Sequence, residues 1–195
     1  MEKSENKPGK EFFGGAAALA TPFTESGDVC YDSLRTHLDF LYKNGITRIL
    51  AAGTTGEFFS LTLQERIDLL SFVLSNFKGT VFCNAGAFVL KDTLALIRNA
   101  SDTGAAGIFV LPPSYPSGLS AGALKEYFRA VASESDIPFY IYNFPKHTGN
   151  PVTPEILNKT GCAGVKDSSK SLDMIPELEC EYITGGDSVI LESSE

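Results

Sequence analysis

Metal ligands are scarce in this chain. It has two histidines, His37 and His147, and four cysteines, Cys30, Cys83, Cys162 and Cys180, scattered with no C-x-x-C spacing. A zinc site needs clustered Cys and His donors, so a zinc centre is not expected. No run approaches the ~20 apolar residues of a membrane-spanning helix. The start, Met1 to Glu11, is polar and charged and lacks the apolar stretch of a secretory leader. These absences lead to the expectation of a reducing, cytoplasmic setting. Cys83 and Cys162, which lie in apolar runs, then read as core thiols. Positive charge is also in deficit. Sixteen Lys and Arg face 24 Asp and Glu, giving a formal net charge of −8. Such a surface repels nucleic acid and anionic membranes, so neither is expected as a partner. A local cationic site for a small anion is still compatible with that balance.

What is present is an alternation of two textures. Short apolar, β-prone runs cover residues 15–23, 48–53, 80–86, 107–111, 138–144, 162–166 and 182–185. Between them lie stretches with helical spacing. Residues 32–43 place Leu34, Leu38 and Leu41 on one face, and residues 90–103 do the same with Leu94, Ile97 and Ala100. Thr62-Leu-Gln-Glu65 reads as a capping box that opens a third helix. Leu124, Phe128 and Val131 mark a fourth. Thr153-Pro154 reads as an N-cap with proline at the first helical position, and residues 171–178 as a weaker helix with Pro176 late in it. Strands alternating with helices imply parallel pairing, and strands apolar on both faces imply a sheet covered on both sides. With 195 residues, 43% of them hydrophobic, one domain is expected. An open doubly wound sheet and a (β/α)8 barrel both fit this alternation, and the lack of a G-x-G-x-x-G after the first strand disfavours only the dinucleotide-binding version of the former. The organisation expected is a polar tail over residues 1–13 and, in the barrel version, an incomplete barrel over residues 14–195.

Chemistry in such a barrel gathers at the carboxyl ends of the strands. Lys166 ends the sixth apolar run, Cys162-Ala163-Gly164-Val165-Lys166, and is followed by Asp167-Ser168-Ser169. An amine held against an apolar wall loses proton affinity and can attack a ketone to form a Schiff base. Thr54 and Thr55 stand between glycines in Gly53-Thr54-Thr55-Gly56-Glu57, a loop suited to presenting backbone N–H groups to a carboxylate. A turn that needs glycine only for positive φ reads equally well there. Strand alternation puts Tyr140 and Tyr142 on one face, where a phenol near the lysine can relay protons or simply line a barrel wall. Gly118-Leu119-Ser120-Ala121-Gly122 matches a nucleophile elbow, but Pro112, Pro113 and Pro116 separate it from the preceding strand, so Ser120 reads as a helix N-cap.

Gly53-Thr54-Thr55-Gly56-Glu57, Tyr142-Asn143-Phe144-Pro145 with Thr148-Gly149, and Gly164-Val165-Lys166-Asp167 together resemble the three signatures of the dihydrodipicolinate synthase/N-acetylneuraminate lyase family. Gly185-Gly186-Asp187 resembles the next element. The resemblance implies a (β/α)8 barrel that handles pyruvate or pyruvate-derived sugar acids through a lysine imine, with no cofactor beyond it. It implies Lys166 as the imine former and Tyr142 as the proton relay. Thr55 would join Tyr142 to Tyr115, which in many members reaches in from a neighbouring subunit, and a homodimer or homotetramer follows. The Thr54 and Thr55 amides, with Gly56 and Gly186, would surround the pyruvyl group. Members that make dihydrodipicolinate usually carry an arginine where His147 stands and a second tyrosine where Ser114 stands. The resemblance therefore leans toward cleavage of a 2-keto-3-deoxy sugar acid to pyruvate and an aldehyde, with His147 touching sugar hydroxyls. Dihydrodipicolinate synthesis and N-acetylneuraminate cleavage are the alternatives. A barrel of this type runs to ~250 residues, so strand eight and the C-terminal helices are expected to be absent. A fragment of a longer product is the expectation, poorly soluble or inactive by itself.

Overall fold

Two sets of side chains alternate along the strands and face two different cores. The computed structural model describes residues 14–189, so the tail expected over residues 1–13, and residues 190–195, lie outside the described residues. The strands are β1 (Ala17–Ala18), β2 (Arg48–Ala51), β3 (Thr80–Asn84), β4 (Gly107–Val110), β5 (Phe139–Asn143), β6 (Gly164–Asp167) and β7 (Glu181–Thr184). They pair in chain order, every neighbour parallel. The helices are α1 (Tyr31–Lys43), α2 (Leu63–Asn76), α3 (Leu90–Thr103), α4 (Ala121–Glu134), and the single turns α5 (Pro145–Thr148) and α6 (Pro154–Leu157). Outward residues Ile49, Val81, Ile108, Ile141 and Val165 meet helix residues such as Leu34, Leu69, Ile97 and Phe128 in one large core. Inward residues Leu50, Phe82, Phe109, Tyr140 and Ala163 form a second core on the concave side. There the Phe109 and Tyr140 rings stack at 4.9 Å, and Phe82 meets both edge-on. A sheet with two packed faces that curls around its own side chains is a barrel wall, and seven of its strands are present. Among the described residues, β1 and β7 each have a strand neighbour on one side only.

Helix starts follow local chemistry. Thr62 and Glu65 form the reciprocal capping box expected of them. Ser120 accepts from the Ala123 N–H at 3.2 Å and caps α4, so the G-x-S-x-G match is a helix start and not an elbow. Cys83 and Cys162 are buried. Three expectations need correction. The first run yields only a two-residue strand. Thr153 precedes α6 but its side chain makes no capping bond. The helix expected over residues 171–178 is only a 3-10 turn, Ile175–Glu177. Pro176 lacks an N–H and disfavours α geometry at Ile175. Ser171 and Asp173 also tie the chain down in local bonds: the Asp173 N–H donates to Ser171 Oγ, which donates to the Asp173 carboxylate at 2.7 Å.

Candidate active site

Register brings the two chemically loaded strands together. β5 and β6 pair so that Tyr142 lies opposite Lys166 and Asn143 opposite Asp167. Alternation then sends Tyr142 and Lys166 to the concave side, and Asn143 and Asp167 to the helix side. Lys166 Nζ stands 3.5 Å from the centroid of the Tyr142 ring. Behind this pair the Asn143 amide donates to Asp167 Oδ1 at 2.6 Å and accepts from the Val152 N–H at 3.0 Å. Asp167 also accepts from the Ser169 N–H and hydroxyl and from the Tyr182 hydroxyl. This buried network clamps the ends of β5, β6 and β7 and so fixes where the lysine and the phenol point.

The two side chains open into a cavity of about 600 Å³ at the carboxyl ends of the strands. Its cations are Lys146, Lys166 and Lys170, and among the described residues no Asp or Glu lines it. In a chain of net charge −8 this is the local inversion that an anionic substrate needs. Hydroxyls of Thr54, Thr55, Ser168, Ser169 and Thr184 supply the polar rim. Burial raises the Tyr142 phenol pKa, but the Lys166 charge and side-chain hydrogen bonds with Ser168, Thr54 and Lys166 outweigh it and hold the value below the ordinary 10.0.

The threonine loop is built under strain. Ala52 and Glu57, neither of them glycine, take left-handed φ of 50° and 52°. The glycines between them serve another purpose. A Cβ on Gly56 would sit 2.7 Å from the Leu19 carbonyl oxygen and 3.1 Å from Thr21 Oγ1, and Thr21 donates to the Gly56 carbonyl at 2.8 Å. Gly56 is there for close approach of two backbones, not for positive φ.

The structure brings Lys166, Tyr142, Thr54, Thr55 and Gly186 to one cavity, whereas Gly56, expected beside them, is buried against Leu19 and Thr21 and does not line it. The structure departs from the sequence reading at two further points, one at the threonine pair and one at His147. Thr54, not Thr55, meets the Tyr142 phenol, and Thr55 is exposed at the cavity rim. Ala52 leaves the extended conformation, so alternation stops there and the turn decides which threonine faces inward. Tyr115, which the sequence reading looked for in a neighbouring subunit's site, lies on the β4–α4 loop, 89% exposed and outside the lining of its own chain's cavity. His147 lies edge-on to Phe144 at 4.2 Å and lines a second, apolar cavity of about 370 Å³. That cavity shares only Thr54 and Phe144 with the first, so His147 does not stand over Lys166. Sequence reasoning also missed Ser168, Lys146 and Lys170. Ser168 could have been found, because it directly follows the strand that carries the lysine. The two surface lysines had no signal apart from their neighbours in space.

A parallel α/β barrel wall, with a lysine and a phenol paired at its carboxyl end, defines the class of protein. Residues 11–191 match the Dihydrodipicolinate synthetase family, and the chain belongs to it. It is 33% identical over 171 residues to the 4-hydroxy-tetrahydrodipicolinate synthase of Archaeoglobus fulgidus, covering 86% of this chain and 58% of that protein. Among solved structures it resembles a prophage protein of the same family from E. coli K12, in complex with pyruvate, with a TM-score of 0.85, 25% identity, and coverage of 92% and 65%. It also resembles the 2-keto 3-deoxygluconate aldolase of Picrophilus torridus, with a TM-score of 0.85, 26% identity, and coverage of 92% and 69%. The chain thus spans about 58% of the archaeal relative's length. No helix among the described residues is long and apolar enough to cross a membrane.

Proposed function

We propose that this chain carries the imine-forming half of a pyruvate-dependent carbon–carbon lyase. Lys166 Nζ adds to the keto carbon of a 2-keto acid, and loss of water leaves an imine. The imine nitrogen draws the electron pair of the breaking carbon–carbon bond into an enamine, so no further cofactor is called on. Tyr142, held by Thr54 and Ser168, accepts and returns the protons that carbinolamine breakdown and enamine protonation require. The substrate carboxylate is held by the Thr54 and Thr55 N–H groups, with Gly186 beside them, and by the cationic rim of Lys146 and Lys170. The observation that carries this reading is Lys166 Nζ 3.5 Å from the centroid of the Tyr142 ring, in a cavity whose described lining holds three lysines and no carboxylate.

Of the acids such a site can take, a 2-keto-3-deoxy sugar acid is favoured by the hydroxyls of Ser168, Ser169 and Thr184, which offer partners to a polyhydroxylated chain. His147 lines the adjoining cavity, which meets the first at Thr54 and Phe144. The names of the closely matching relatives support a second reading, dihydrodipicolinate synthesis, in which Lys146 or Lys170 meets a second carboxylate. The exposed Tyr115 fits a homodimer or homotetramer in which it reaches a neighbour's site. The test is borohydride trapping with pyruvate, read by intact mass and peptide mapping. A reduced pyruvyl adduct on Lys166, absent in Lys166→Met, is the expected result. A folded chain that gives no adduct refutes the imine.

A further inference from the structure

Two thiols that this chemistry does not use stand together at the opposite end of β6. Cys162 lies two residues before β6, and Cys180 lies immediately before β7. The β6–β7 ladder pairs Gly164 with Glu181, and the Glu181 N–H donates to the Ala163 carbonyl at 3.1 Å. Carried back one step, that register sets Cys180 beside Ala163 and Cys162 on the diagonal. Both residues stand just outside the regular strands at the same end of the β6–β7 pair, where neighbouring strands lie about 4.8 Å apart, within the reach of a disulfide, whose Cα atoms stand about 4.4–6.8 Å apart. Both thiols are free, and Cys180 packs against the same outer core that holds Cys162, so that each thiol is the strongest influence on the other's titration.

The pair is asymmetric. Cys162 is buried and donates to the Leu157 carbonyl at 3.5 Å. Its contact with Cys180, together with burial, pushes its own pKa up. Cys180 is half-exposed, and the same contact holds its thiol below the ordinary value, against burial and the nearby charges of Glu181 and Glu179. The other two cysteines lack such a neighbour among the described residues. Cys30 donates to Ser33 Oγ at 3.2 Å ahead of α1, and burial pushes the Cys83 thiol up to about 12.

We propose that Cys162 and Cys180 are an oxidisable pair that closes to a disulfide under hydrogen peroxide and staples β6 to β7. The Cys180 thiolate attacks one peroxide oxygen. The O–O bond breaks, hydroxide leaves, and Cys180 becomes a sulfenic acid. The Cys162 sulfur then attacks the Cys180 sulfur, the S–O bond breaks, and water departs with the Cys162 proton as the S–S bond forms. The hydroxide takes up the proton that Cys180 had released. Two thiols and one peroxide thus become one disulfide and two waters. The staple restrains the strand that leads into Thr184, Gly185 and Gly186 on the wall of the lysine cavity.

The test uses the whole chain, exposed to a slight excess of hydrogen peroxide and then alkylated. Expected are a mass lower by two hydrogens, a non-reducing peptide joining Cys162 to Cys180, and full reversal by dithiothreitol. The apparent Tm should rise by about 5–10 °C, the size expected when a loop of this length is closed in a chain of this size. In Cys162→Ser, Cys180 should instead retain a sulfenic acid that dimedone captures. Stepwise over-oxidation of Cys180 without the cross-link overturns the proposal. So does a bridge to Cys30 or to a second chain, or no reaction at either residue in protein with native circular dichroism. None of these readouts depends on pyruvate.

Discussion

Replacing Asp167 with alanine isolates the network that aims the lysine. The carboxylate is buried and accepts four hydrogen bonds: from the Asn143 amide at 2.6 Å, the Ser169 hydroxyl at 2.6 Å, the Ser169 N–H at 3.2 Å and the Tyr182 hydroxyl at 3.3 Å. Ser169 is half-buried and recovers water when the carboxylate is removed. Asn143 is 2% exposed, and its stranded N–H cannot. A buried donor left without a partner costs about 1–3 kcal/mol, and the charge-assisted bonds lost with it bring the total to about 3 kcal/mol. In a chain of this size that lowers Tm by roughly 6–12 °C. Asp167→Asn keeps an acceptor for Asn143 and places its own NH2 toward two hydroxyls that can accept, so it should cost only about 1 kcal/mol. Removing Asn143 as well takes away the stranded group. The double variant Asn143→Ala/Asp167→Ala should therefore be more stable than the sum of the singles by about 1–2 kcal/mol. Urea unfolding followed by circular dichroism reads all four. A loss under about 1 kcal/mol in Asp167→Ala, or a strictly additive cycle, would show that this network does not hold the ends of β5 and β6.

Three further outcomes follow from the same geometry. Gly56→Ala drives a methyl against the Leu19 carbonyl and should cost about 1–3 kcal/mol; borohydride trapping in that variant should slow markedly, and wild-type stability and trapping would remove the close-approach argument. The Tyr142 phenol, whose pKa is lowered mainly by Lys166, should ionise below 10.0 in the difference spectrum between wild type and Tyr142→Phe. The folded value lies below the unfolded one, so between them the unfolded chain holds more protons and stability rises with pH, a contribution lost as pH falls through the folded value. In Lys166→Met only burial and weak hydroxyl contacts remain, and ionisation should move above its wild-type position; an unmoved titration would separate the two side chains. Ser120→Ala removes a helix cap and should cost about 1 kcal/mol with trapping unchanged, whereas a collapse of activity would revive a serine nucleophile.

The class of fold and the identity of the reactive strand ends were legible in the chain itself. Strands apolar on both faces, separated by helices with periodic Leu and Ile, admit little except a covered parallel sheet, because local periodicity directly encodes which faces are buried. Capping at Thr62 and Ser120 was legible for a similar reason, since the bonds close within three residues. Lys166 and Tyr142 could be named because each ends or nearly ends a strand. Their meeting could not be read locally, since it depends on the β5–β6 register. Pro176 and the Ser171–Asp173 turn defeated a helix that residue spacing alone would allow. His147 went to the adjoining cavity and not to the lysine cavity, because loop direction is set by contacts distant in sequence. The choice of Thr54 over Thr55 rests on one backbone angle at Ala52, held by its surroundings against its own preference. Periodicity and caps are short-range and are written in adjacent residues. Register, strain and the convergence of three lysines on one cavity are long-range, and only the folded chain decides them.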